Sequence, residues 1–221
     1  MPDPAISRNT YSVLVAGSMN PMLHHPQWYR TLGVIDDEEL AAALRDGLTG
    51  TTPFGSRFQF GTLPLIVTCL PVQWSIQSSS SESWERMIRI AAAVFAPTNN
   101  PSIRAYGLVS NRHIDADTDV KSSLAAKISG LRLGFPRGEN VNTNVTLSNI
   151  EKDHTIVTSV QNSVIGERTV FVSYHVDRPS QTIEGITDGG LEHFIHESEK
   201  FFSRVTGALN DSSAFREHQD E

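Results

Sequence analysis

Between Val72 and Phe95 the hydrophobic period changes from two to about 3.6 residues, and that switch limits the possible folds more than any other feature. Val72, Trp74 and Ile76 alternate with Gln73, Ser75 and Gln77, the pattern of a strand apolar on one face only. Past the serine run Ser78–Ser81, the residues Trp84, Met87, Ile88, Ala91 and Phe95 recur at three- and four-residue spacing. This predicts an amphipathic helix over Trp84–Phe95, stopped by Pro97, with the serine hydroxyls available to its first turn. A one-faced strand followed by a one-faced helix calls for a sheet covered by a helix layer.

The flanking segments fit that plan. Tyr11–Ala16 is apolar and β-branched and predicts a strand, as do Arg57–Phe60 and Leu65–Leu70, which with Val72–Gln77 make an antiparallel meander. Pro26 opens a short segment broken by Gly33, and Asp36 can cap a helix through Glu38, Glu39, Leu40 and Ala41–Ala43. Ile103–Ser110 predicts another strand, followed by the acidic run Asp115–Asp119, a helix around Ser122–Leu133 and the turn-rich Gly134–Asn140. The pattern then returns: Asn144–Ile150, Thr155–Val164 and Thr169–Asp177 alternate as strands, and Leu191–Leu209 is a long helix with Leu191, Phe194, Ile195, Phe202, Val205 and Leu209 on its apolar face. The expected class is α+β: two similar halves, each an antiparallel sheet packed by an amphipathic helix, from an internal duplication. The halves would span 1–111 and 141–210, joined by 112–140 and followed by a polar tail at 211–221.

Composition narrows the environment. The single cysteine, Cys69, lies in the apolar run Leu65–Leu70, so neither an intrachain disulfide nor a cysteine-based zinc site can form, and a reducing, cytoplasmic setting is expected. Met1–Tyr11 lacks an apolar core of the signal-peptide kind, and no apolar run approaches the roughly 20 residues that span a bilayer, so no membrane association is expected. With 18 Lys and Arg against 25 Asp and Glu, a net charge of −7 and no basic stripe, free nucleic acid is not an expected partner.

Three clusters could carry chemistry. In His193-Phe-Ile-His196-Glu197 the three- and four-residue spacings bring imidazoles and a carboxylate toward one side of the last helix, a possible zinc or manganese site that would need further ligands such as His24 or His25. The alternative is a wet helix face. His24, His25, Trp28 and Tyr29 join two imidazoles to two aromatics in a loop, either as a binding patch anchored by Trp28 or as an aromatic plug on the first sheet with the histidines in water. His113, Asp115, Asp117 and Asp119 begin like a calcium loop, but Val120 and Ala126 stand where a glycine and a bidentate glutamate are required, which leaves a solvated acidic loop with Asp115 and Asp119 as helix caps. Cys69 in an apolar strand is a poor nucleophile, and no G-x-S-x-G, phosphate-loop or G-x-G-x-x-G pattern occurs. No catalytic residue and no cofactor is therefore assigned.

The Val72–Ile76 strand, the helix ending near Phe95, the Ile103–Leu108 strand with Tyr106, and the closing helix with His193, Phe201 and Phe202 together resemble a sporadically distributed group of uncharacterised bacterial proteins built from two such halves. The resemblance covers most of the chain and implies a fold, with no reaction attached. Its sporadic distribution implies a bacterial mobile-element or defence locus. The expected function is a non-enzymatic interaction or assembly subunit that binds a protein partner and can self-associate through sheet edges. Two alternatives are a metal-dependent hydrolase using His193, His196 and Glu197, and a small-molecule-binding module with its pocket between the halves.

Overall fold

The computed structural model describes residues 8–45, 50–60, 65–96, 99, 102–115, 144–151, 153–163, 165, 169–187 and 189–210. Their strands are β1 (Asn9–Ser18), β2 (Gly50–Thr52), β3 (Gly55–Phe60), β4 (Leu65–Leu70), β5 (Gln73–Ser78), β6 (Ser102–Asp115), β7 (Asn144–Ile150), β8 (Thr155–Asn162) and β9 (Thr169–Pro179). The helices are α1 (Pro26–Thr31), α2 (Asp37–Arg45), α3 (Trp84–Val94), the short α4 (Glu184–Thr187) and α5 (Gly190–Asn210). The class is α+β. All nine strands join one antiparallel sheet in the order β2-β3-β4-β5-β1-β6-β9-β8-β7, so the strands expected in the two halves share one sheet, joined through the β1–β6 pair.

Alternation decides which side of this sheet is covered. Tyr11, Val13 and Val15 of β1 share a face with Trp74 and Ile76 of β5, Tyr106 and Leu108 of β6, and Val172 and Tyr174 of β9, and all are buried. Met87, Ile88 and Ala91 of α3 and Phe194 and Phe202 of α5 join the same core. Full burial of each large apolar side chain there contributes roughly 1.5–3 kcal/mol. Trp84 knits the layers together, with its ring 5.8 Å from Tyr11 and 5.5 Å from Phe194. On the opposite face Leu14, Ser75, Gln77 and Val109 are only half-buried.

Local chemistry sets the helix ends. Asp36 accepts from the Glu39 amide at 2.8 Å while the Glu39 carboxylate accepts from the Asp36 amide at 3.3 Å, a reciprocal cap that starts α2. Gly33, at φ +71°, turns the chain out of α1, where a side chain would be strained. The boundary expected at 111/112 falls inside β6, which continues to Asp115 and pairs with β9 along its length. The expected helix 122–133, the turns at 134–140 and the tail 211–221 lie outside the described residues.

Candidate functional site

Pro26 and Gly33 bracket α1 so that its aromatics fall onto β3–β5. Tyr29 is fully buried, with its ring 4.9 Å from Phe58 and its hydroxyl accepting from Trp74 Nε1 at 2.8 Å. An indole can only donate, so the Tyr29 O–H is free to donate to His24 Nδ1, also at 2.8 Å, which puts the neutral imidazole's proton on Nε2. His24 is buried, where water was expected, and burial pushes its pKa down to about 4. Trp28 packs edge-on against both His24 and Tyr29 and is half-buried. His25 accepts from the Gln27 amide at 3.3 Å as the α1 cap. These four residues form a satisfied aromatic and imidazole cluster over the β3–β5 end.

The helix-borne trio divides. His193 and Glu197, one turn apart on α5, line a common cavity, whereas the His196 side chain is 75% exposed, with Nε2 3.8 Å from Glu197 Oε1. Among the described residues no three His, Cys, Asp or Glu side chains are gathered where they could hold a metal ion. In the acidic run, Asp115 ends β6 and accepts from Thr169 Oγ1 at 2.9 Å and from Arg8 at 2.7 Å, contacts that hold its carboxyl below the usual range. It is therefore a strand-end clasp where a loop ligand or helix cap was expected. His113 bonds Ser163 Oγ at 2.7 Å, and Asp117 and Asp119 lie outside the described residues. Cys69 is fully buried, and burial pushes its thiol up to about 12.

Apart from His193 and Glu197, the residues that line this cavity were not expected from sequence. It measures about 280 Å³ and opens where α4 and the start of α5 pass over β6, β9 and β8. Leu108, Ile156, Val176 and Ile186 give it an apolar lining, with Tyr106, His154, Arg178, His193, Glu151 and Glu197 as its polar groups. Tyr106 is only 6% exposed, and among the described residues its hydroxyl has no hydrogen-bond partner. Gly185 makes room for it, since a Cβ there would collide with Tyr106 Oη. Tyr174, also 6% exposed, has its pKa raised by burial first and then by the Glu197 and Glu151 charges. Asp153 accepts from His154 Nδ1 at 2.8 Å, which with Arg178 holds its carboxyl below the usual range.

The cavity continues, through Ile156, Tyr174 and Glu197, into a groove of similar volume between β7–β8 and α5. Leu147, Thr158 and Phe201 line that groove, with Lys200 and Arg204 on its rim. Beyond it β7 is the edge of the sheet among the described residues. Its Leu147 is 66% exposed and its Ile150 81% exposed. No helix of the described residues is long and apolar enough to cross a membrane. The chain matches no protein-family model and no curated protein sequence.

Proposed function

We propose that the protein is an interaction subunit that takes up an extended segment of a protein partner at the β7 edge and the adjoining groove beside α5. The carrying observation is the β7 strand itself. Its seven residues, Asn144–Ile150, include no charge and no proline, yet they end a nine-stranded sheet and present Leu147 and Ile150 to solvent. Sheet edges are ordinarily guarded by charge, proline or shortness. The other edge, β2, has that guard, being three residues long. An added strand would lie beside β7 while alternate side chains reach the groove lined by Leu147, Ile156 and Phe201.

A duplication of the chain accompanies this reading. The order β3-β4-β5-β1 and the mirrored β6-β9-β8-β7 support two similar halves, each ending in a core helix, α3 or α5. A cytoplasmic setting draws support from the lone, buried Cys69, and a bacterial mobile or defence locus from the family resemblance.

The test is affinity capture from host extract, at native levels, with wild-type protein and with a Leu147→Lys, Ile150→Lys double variant. The expected result is a stoichiometric protein with the wild type that is absent with the variant. Equal capture by both, or none by either, rejects the edge as the partner surface. A second copy of the same chain as the captured species would assign self-association in place of a foreign partner.

A further inference from the structure

We propose that the cavity beneath α4 and the start of α5 binds a free α-amino acid with an apolar side chain, its carboxylate against Arg178, Tyr106 and the first turn of α5, and its ammonium against Glu197 and Glu151. The cavity lining carries both signs of charge, Arg178 against Glu197 and Glu151. Among the described residues the carboxylate paired with Arg178 is that of Asp153, at 4.0 Å, the limit of an ion pair. Gly190 and His193 place the opening turn of the 21-residue α5 at the same end, where backbone amides and the helix dipole favour an anion. The independent sign of a ligand is Tyr106: more than nine-tenths buried, facing the cavity, with no protein partner among the described residues for its hydroxyl. A bound carboxylate would accept a hydrogen bond from that hydroxyl.

One turn along α5 the sign of the charge reverses. Glu197 has Lys200 Nζ only at 3.5 Å, and Glu151 has His154 Nε2 at 3.4 Å and Asn149 Nδ2 at 3.3 Å, so both carboxylates keep capacity for a short ammonium contact. A simple anion would meet these two carboxylates, and a simple cation would meet Arg178. A dipolar ligand satisfies both. Size agrees, because about 280 Å³ leaves room for an amino acid. Leu108, Ile156 and Val176 would receive the side chain. Nothing in this assignment depends on a protein partner, since it concerns the isolated chain.

The experiment is calorimetric titration of the purified wild-type protein with leucine, methionine and phenylalanine, followed by N-acetyl-leucine and leucinamide, each blocked at one end. The expected result is a Kd below about 1 mM for at least one of the three, with both blocked forms of leucine at least about tenfold weaker than leucine. Arg178→Gln should then weaken leucine while sparing leucinamide, and Glu197→Gln should weaken leucine while sparing N-acetyl-leucine. Failure of all three amino acids to bind at about 10 mM overturns the proposal. So does equal binding of leucine and either blocked form, a result that needs no variant to fold.

Discussion

Two buried tyrosines mark the two ends of the helix-covered face. At the β3–β5 end, α1 lies on the sheet, and the Tyr29 hydroxyl sits between the Trp74 indole and the His24 imidazole with both contacts at 2.8 Å. At the β6–β9 end, α5 covers β6 and β9 but leaves a channel over β8, and the hydroxyl of Tyr106, a residue 6% exposed, opens into a cavity without a protein partner among the described residues. At the first end the Tyr29, Trp74 and His24 groups bond one another. The second end keeps its polar groups for something else, and it is there that the uncharged edge strand lies.

Substitutions can break this contrast or sharpen it. The largest effect is expected from Trp74→Ala, which empties a fully buried indole site and unpairs Tyr29, with a loss of about 3–5 kcal/mol in urea denaturation. Acid comes next. The folded-state pKa of His24 is about 4 against an unfolded value near 6.5, so the unfolded chain binds the proton more readily and stability falls as pH drops through that window. The full loss from this group is on the order of 3 kcal/mol, and a His24→Gln variant should lack that part of the pH dependence when both are unfolded at pH 7 and pH 4. Tyr29→Phe leaves a buried indole N–H and an imidazole unsatisfied and should cost about 1–3 kcal/mol, whereas Tyr106→Phe, removing a hydroxyl with no partner among the described residues, should stay within about 0.5 kcal/mol. Equal effects from the two tyrosines would erase the distinction. The smallest change concerns Cys69, which should resist alkylation at pH 8 until the chain unfolds, as followed by mass spectrometry.

Local patterning carried most of the fold and little of the site. The apolar run Leu65–Leu70 and the strand-and-turn alternation from Asn144 located β4 and β7 at their observed limits, and Asp36 as a cap marked the start of α2, because each of these is decided by neighbours in the chain. β2 and α4 are three and four residues long, too short for any period to register. Fusion into one sheet rests on Tyr11–Ser110 and neighbouring pairs about a hundred residues apart, which no local pattern encodes. The cavity escaped for the same reason: Tyr106, His154, Arg178 and His193 come from β6, the β7–β8 turn, β9 and α5. The one available signal was a tyrosine at an inward strand position, a residue whose hydroxyl demands a partner. The His24 imidazole misled in the opposite sense, since a histidine beside a proline and aromatics reads as surface until the Tyr29–Trp74 bonds are seen to shelter it.

Hydrogen exchange, read segment by segment on the protein alone and after incubation with host extract, would measure the difference between the two ends in one experiment. In the purified protein β3–β5 amides should be strongly protected and the outward amides of β7 should exchange quickly; on binding, new protection should fall on β7 and on α5 between His193 and Arg204. Slow exchange of β7 in the isolated monomer, or new protection confined to the α1 end, would contradict the assignment of the β7 edge as the open, partner-binding end of the sheet.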